Sequence, residues 1–311
     1  MSAFKLIMIS AMYENGGNTM HRLLDGHPRF YVYPFESQVG TGAGNDFLTS
    51  YVPIRYRWPE FSGGVTPDQA YEMFWDEEMK TLLRVPSRSK FRDCGMKLDE
   101  TARRAAFRKV CEGKPATRAT FVEAYYRSTF EAWENFNRTG QEDTWVGYNP
   151  VQCLDTDKIF QDFPDAQVIH VVRNPFSGFS DTIKRPFPLG PVRYAWTWNL
   201  CQHMALTYKE KYAGRFHIIR FEDFAADPNQ AVGGLLEAMG YGMSEKCAYP
   251  SFNGERLREV YPWGTIRTPT PAANLATANE LSAEQKKILR TECAVMLPLL
   301  GYSDLTREIG A

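Results

Sequence analysis

Two apolar runs far apart in the chain each end in a turn suited to holding an anion, and together they constrain the fold more than any other feature. Lys5-Leu-Ile-Met-Ile-Ser10 runs into Ala-Met-Tyr-Glu-Asn-Gly-Gly-Asn-Thr19, and Gln167-Val-Ile-His-Val-Val172 runs into Arg173-Asn-Pro175. Each run reads as a buried strand. After the first come a glycine pair, Asn18 and Thr19 as capping residues, and the helical run Met20-His-Arg-Leu-Leu24, so backbone N–H groups at a helix start can face a phosphate. After the second, an arginine stands at a strand's C-terminal end, where ligands of open α/β sheets gather. Two such turns in one domain suit a ligand carrying two separate anionic groups.

Composition narrows the partners. With 311 residues, 43% hydrophobic and 23% charged, the chain can bury a full core as one large domain or two small ones. A net charge of -1 leaves no electrostatic footprint for nucleic acid or an anionic membrane surface, so any anion specificity is local. Cys94, Cys111, Cys153, Cys201, Cys247 and Cys293 lack the paired spacing of a zinc or redox motif and read as reduced, mostly buried thiols. No His/Asp/Glu cluster has metal-ligand spacing, and no Gly-x-Ser-x-Gly elbow is present. The N-terminus lacks the apolar core of a signal peptide, and no run reaches the ~18 apolar residues of a spanning helix. A cytoplasmic protein is expected.

Along the chain, strands at Leu6–Ile9 and Phe30–Tyr33 flank a helix over Thr19–Asp25 that Gly26 and Pro28 stop. From Ser37 to about Pro67 the sequence is rich in Gly, Tyr, Trp and Pro and reads as a long site-lining loop whose aromatics suit an acceptor pocket. Helices are predicted over Asp68–Leu83, Thr101–Cys111 and Arg118–Phe136. The second half is more regular: helix Asp155–Asp162, strand Gln167–Val172, helices from Phe176 and over Trp196–Tyr212, strand Phe216–Arg220, and helix Asn229–Met239. Alternating strands and helices argue for an α/β fold, a parallel sheet flanked by helices in three layers. Tyr249–Asn279 reads as a second irregular segment, placed to close over a nucleotide, and Ser282 with Glu284 and Gln285 starts a last helix running to about Leu297.

The order of these motifs resembles the nucleotide-dependent sulfotransferases, a family with a P-loop-like fold. They move a sulfuryl group from 3′-phosphoadenosine 5′-phosphosulfate to a hydroxyl or amine. Four pieces carry the resemblance: the first strand-loop-helix ending Leu23-Leu-Asp-Gly-His27-Pro28, Phe163-Pro-Asp-Ala-Gln-Val-Ile-His-Val-Val-Arg173-Asn-Pro175, Arg220-Phe-Glu-Asp-Phe-Ala-Ala-Asp-Pro228, and the terminal Gly301-Tyr302. They span nearly the whole chain, which implies one sulfotransferase-like domain over 1–311 with an irregular acceptor-side region at about 37–150.

The resemblance assigns roles residue by residue. It implies that Asn15, Gly16, Gly17, Asn18 and Thr19 wrap the 5′-phosphosulfate, the glycines allowing close backbone approach. Most members carry Lys or Arg where Asn15 stands, preceded here by Glu14, so the charge developing on the leaving group needs another cation. His21, Arg22, Lys184 and Arg185 are the candidates. Arg173 matches the arginine that grips the 3′-phosphate, a bidentate contact to which arginine is suited. The family's partner serine lies eight residues further on, where this chain has Asp181, so Ser180 or Ser177 takes that place. Arg267 lies in the late loop where relatives bring another cation; the alternative is a solvated side chain. Trp196 and Trp198 support adenine or acceptor, or serve as core packing.

An acceptor hydroxyl needs a base to take its proton. Many relatives use a histidine in a segment corresponding to Gly147-Tyr-Asn-Pro-Val-Gln152, where none is present. Others use a glutamate shortly after the His-Pro pair, and Glu36, eight residues beyond Pro28, fits that position. A carboxylate of raised pKa in an aromatic pocket can accept the proton; the other reading of Glu36 is a cap or an arginine partner. His21, near the loop, is a second candidate for contact with phosphate, while His27 and His170 read as structural. Glu222 and Asp223 read as tying a helix to the sheet.

The function expected is direct in-line transfer of a sulfuryl group to a small-molecule or carbohydrate acceptor, without a metal. The donor product is 3′,5′-adenosine bisphosphate. Two other readings remain beside it: a binding protein of the same fold that has lost catalytic groups, and a P-loop kinase. Against the kinase, Gly17 and Asn18 stand where a Walker loop has Lys and Ser/Thr.

Overall fold

The apolar alternation of the first and fourth strands places them at the centre of the molecule. The computed structural model describes residues 3–44, 46–257 and 269–310. The elements in chain order are β1 (Lys5–Ala11), α1 (Gly17–Leu24), β2 (Phe30–Val32), α2 (Pro67–Met73), α3 (Glu77–Arg84), α4 (Glu100–Cys111), α5 (Arg118–Ala132), β3 (Thr144–Tyr148), α6 (Thr156–Asp162), β4 (Gln167–Val172), α7 (Pro175–Thr182), α8 (Pro191–Lys211), β5 (Phe216–Arg220), α9 (Phe221–Ala226), α10 (Pro228–Ala238), the short β6 (Ser251–Phe252) and β7 (Glu255–Arg256), α11 (Pro271–Asn279), α12 (Ala283–Glu292), α13 (Met296–Leu299) and α14 (Ser303–Glu308).

Five parallel strands form one sheet in the order β2-β3-β1-β4-β5. β1 pairs with β3 on one side, Ile9 opposite Tyr148, and with β4 on the other, Ile9 opposite Ile169. Side chains alternate across it. Leu6, Met8, Val168 and Val172 join one core with Phe121, Tyr126 and Trp198 from α5 and α8; Ile7, Ile9, Ile169 and Val171 join a second core with Leu23, Phe224 and Leu236 from α1, α9 and α10. Helices therefore cover both faces, giving the three-layer α/β architecture. Each fully buried Ile or Leu contributes ~1.5–3 kcal/mol. The strand order reverses at β1, so the crevice beyond the C-terminal ends of β1, β3 and β4 is the ligand-binding end of such a sheet.

Several elements differ from the sequence expectation. Asp68–Leu83 is two helices, because Asp76 takes φ +40° between them and turns its carboxylate inward, where it accepts from Arg103 Nη1 at 2.6 Å and from the phenols of Tyr33 and Tyr125, each at 2.8 Å. A buried ion pair with full hydrogen bonding outweighs local helix propensity here. The helix expected to reach Phe136 ends at Ala132, and Trp133 turns extended to bridge Leu98. The last helix stops at Glu292 and restarts at Met296, since Pro298 cannot donate to a preceding turn. Its start is as expected, with Ser282 and Gln285 capping each other reciprocally. Within Tyr249–Asn279, Pro271–Asn279 is a helix capped by Thr270 rather than loop, and Thr144–Tyr148 is a strand the periodicity did not announce. No helix among the described residues is long and apolar enough to cross a membrane.

Candidate active site

The turn after β1 is shaped by its two glycines. Gly16 sits at φ +87°, and a side chain there would collide with the Phe221 ring; a Cβ at Gly17 would meet Tyr148 and stand 2.8 Å from Ala11 Cβ. The first bond of α1 runs from Met20 N to Gly16 O at 3.0 Å, which leaves the N–H groups of Gly17, Asn18 and Thr19 ahead of the helical ladder. The helix dipole adds partial positive charge at that point. The backbone of this turn fits an anion.

Asn15 does something different from the expectation. It is fully buried: its Nδ2 donates to Tyr13 O at 2.8 Å and Tyr194 Oη at 3.2 Å, while its Oδ1 accepts from Arg173 N at 3.3 Å and Trp198 Nε1 at 3.2 Å. Trp198 also donates to Arg173 O at 3.1 Å, so it fastens the turns after β1 and β4 together and serves as core rather than as a ring for adenine. Asn15 is thus a strut between the turns. Trp196 is exposed and donates to Glu292 at 2.8 Å.

Arg173 leaves the end of β4 in a cradle. Its Nε donates to Asn274 Oδ1 at 2.7 Å, its Nη1 donates to Glu14 O and Asp181 Oδ2, both at 2.8 Å, and the guanidinium lies 4.7 Å from the centre of the Phe221 ring. Asn274 is on α11, so the helix within the expected loop covers this arginine. The serines differ from expectation: Ser180 donates to Glu280 at 2.9 Å and Ser177 to Asn274 O at 2.8 Å. Glu222 is as structural as expected, accepting from Asn174 N at 3.1 Å, Asn274 Nδ2 at 3.1 Å and Tyr302 Oη at 2.9 Å. Arg267 lies outside the described residues.

The candidate cations separate clearly. His21 is buried beside the Arg22 guanidinium and 5.6 Å from the Tyr148 ring, and burial together with Arg22 pushes its pKa well down, so it stands neutral and supplies no charge to a phosphate. Arg22, also buried, donates to Tyr33 O at 3.1 Å. Lys184 pairs with Glu280 at 2.7 Å and Asp181 at 3.2 Å. Arg185 donates through Nε to Glu14 Oε1 at 2.7 Å, and Glu36 and Tyr56 both act on its charge.

The charge of Glu36 acts on Arg185. Ser37 N donates to Tyr148 O at 2.7 Å, which holds the segment after β2 against the C-terminal end of β3. Glu36 N donates to Glu78 Oε2 at 3.3 Å, and the Tyr56 and Gln38 side chains hydrogen-bond its carboxylate. Burial first, and the neighbouring Glu78 second, raise its pKa from 4.5 to about 7, although Lys90, paired with Glu78 at 2.7 Å, opposes the rise. Its charge is felt by Tyr13, Tyr148 and Arg55. Tyr13 and Tyr56 pack 6.0 Å apart, centre to centre, with Tyr56 buried. Where relatives carry a histidine, Asn149 Nδ2 donates to Gln152 Oε1 at 2.7 Å, both residues buried. His170 and His27 are structural: the first bridges Ser10 and Gln202, and the second contacts Gly242 O at 2.9 Å.

The geometry is therefore a glycine turn whose first helical N–H groups can face an anion, an arginine at the neighbouring strand end, and the carboxyl of Glu36 beside Tyr56 and Glu78. A model of the sulfotransferase family matches residues 65–245. None of the curated proteins compared matches the chain. Among solved structures, it is similar to the sulfotransferase domain from the curacin biosynthetic pathway, at 14% identity, 97% of this chain, 99% of that chain and a TM-score of 0.53. It is also similar to the sulfotransferase domain of the Synechococcus PCC 7002 olefin synthase (15% identity, 93% and 94% covered, TM-score 0.49) and to a sulfotransferase from Alicyclobacillus acidocaldarius (13%, 93% and 95%, 0.44). At 14% identity the first of these likenesses speaks for the fold alone, and the family match covers more than half of the sequence: the chain belongs to the sulfotransferase family.

Proposed function

We propose that the chain transfers a sulfuryl group from 3′-phosphoadenosine 5′-phosphosulfate to a hydroxyl of a small-molecule or carbohydrate acceptor, with Glu36 as general base. The observation that carries this reading is the placement of Glu36: Ser37 N, next to it, bonds Tyr148 O, and the Tyr148 ring packs on Gly17 of the glycine turn, while burial raises the pKa of the Glu36 carboxyl to about 7. The bound donor supplies the sulfuryl group and leaves as 3′,5′-adenosine bisphosphate. The N–H groups of Gly17, Asn18 and Thr19 hold its 5′ end, and Arg173 holds the 3′-phosphate. Arg185 replaces the cation missing at Asn15, since its guanidinium pairs with Glu14, the residue before Asn15, and feels the charge of Glu36. Glu36 in its ionised form takes the acceptor proton.

The ion pair of Arg185 with Glu14 favours a second reading, a nucleotide-binding protein with weakened catalysis, because that cation is partly neutralised. Thermal shift with 3′,5′-adenosine bisphosphate, followed by labelled sulfuryl transfer to phenols, sugars and amines, tests both. Stabilisation together with transfer supports the enzyme, and stabilisation without transfer supports the binding protein. No stabilisation by the bisphosphate removes both.

A further inference from the structure

We propose that Asp181 is a specificity-determining residue: the resident counter-ion of Arg173, which the second phosphate of the nucleotide must displace. It thereby sets how strongly the site prefers a bisphosphate to a monophosphate. This rests on the donor reading above.

Four charges meet here. Arg173 pairs with Asp181 at 2.8 Å, and Lys184 pairs with Asp181 at 3.2 Å and with Glu280 at 2.7 Å. Two cations facing two carboxylates leave no net positive charge for an incoming dianion. The hydroxyl of Ser180, which would donate to a phosphate, is turned to Glu280 at 2.9 Å. The guanidinium of Arg173 is nearly enclosed, its side chain 9% exposed, and Asn274 holds its Nε at 2.7 Å, so it cannot swing out to meet the ligand. Exchange must come from the carboxylate.

The structure supplies the route. The side chains of Asp181 and Lys184 are 30% and 52% exposed, and Lys184 already contacts the other oxygen of that carboxylate. Rotation outward hands Asp181 from Arg173 to Lys184, while a phosphate takes its place on the buried guanidinium. Each charge keeps a partner through the exchange, and what remains is repulsion between Asp181 and the phosphate a few ångströms away. In a partly solvated site such repulsion weakens binding by the order of tenfold or more.

Isothermal titration of 3′,5′-adenosine bisphosphate and of adenosine 5′-monophosphate tests the exchange, since the two differ only in the group Arg173 would hold. Asp181→Asn keeps an oxygen for Arg173 and removes the charge. It should bind the bisphosphate at least about tenfold more tightly and leave the monophosphate unchanged. Lys184→Gln, at an exposed position that does not threaten folding, should weaken the bisphosphate selectively because the displaced carboxylate loses its acceptor. Equal changes for both nucleotides, or none for either variant while the wild type binds the bisphosphate, would overturn the role of Asp181 and leave the donor reading standing. If neither nucleotide binds any of the three proteins, the donor reading falls and the exchange with it.

Discussion

Replacing Glu36 by Gln separates its chemistry from its structural cost, because the two effects have opposite signs. In the folded protein the carboxyl titrates at about 7 instead of 4.5, chiefly through burial and secondly through Glu78. The native state therefore holds a proton more tightly than the unfolded chain does, and stability falls as pH rises from about 4.5 to about 7. At ~1.4 kcal/mol per pKa unit, the ionised carboxylate costs up to ~3 kcal/mol above pH 7, less whatever solvent at the mouth screens. Glutamine, neutral at every pH, removes that cost. Urea denaturation at pH 8.5 should then show Glu36→Gln more stable than wild type by ~1–3 kcal/mol, with the gain vanishing near pH 4.5. Activity should move the other way. A general base contributes ~10²–10⁴ to rate, so kcat for sulfuryl transfer should drop at least ~100-fold. The wild-type kcat should rise with pH through an apparent value near 7 as Glu36 ionises. A variant that is stabilised at high pH yet retains full kcat would leave the burial argument intact and refute the base assignment. A variant neither stabilised nor slowed would refute both.

Other expectations follow from single contacts. Arg185→Gln should lower kcat by ~10²-fold, the cost of losing one preorganised charge donor, with little change in the urea midpoint because its pair with Glu14 is exposed; unchanged turnover would remove it as the replacement cation. Gly16→Ala forces a side chain into φ +87° and against Phe221, and should abolish the thermal shift given by 3′,5′-adenosine bisphosphate while lowering stability by ~1–2 kcal/mol or more; a retained shift would show that the backbone of this turn does not hold the anion. Asp76→Ala strands the buried guanidinium of Arg103 and two phenols, and should cost ~3–5 kcal/mol in urea denaturation, with a loss below ~1 kcal/mol refuting the weight given to that ion pair.

The legible parts of this protein were those governed by local or periodic physics. β4 and β5 were found to the residue because their apolar runs have no competing reading, and the glycine pair announced a turn no other residue could make. What escaped was decided at long range. The two-helix break at Asp76 depends on Arg103, 27 positions away, and the buried strut made by Asn15 depends on Trp198, 183 positions away. Neither partner leaves a mark on the local pattern. The same holds for charge. An arginine at a strand end and an aspartate eight residues later are separately unremarkable, and only the course of α7, which carries Asp181 near its end, brings them into one ion pair under α11. The helix over Pro271–Asn279 was within reach, since Thr270 as cap and Pro271 at the first helical position are a start signal; its small residues simply lack an apolar stripe. That helix carries Asn274 onto Arg173, so the missed element is the one that fixes the arginine in place. The sequence pattern puts Arg173 after the fourth strand, but the partners that hold its guanidinium, Asp181 from α7 and Asn274 from α11, come from elsewhere in the fold, and for that reason the phosphate specificity proposed for it rests on its counter-ions.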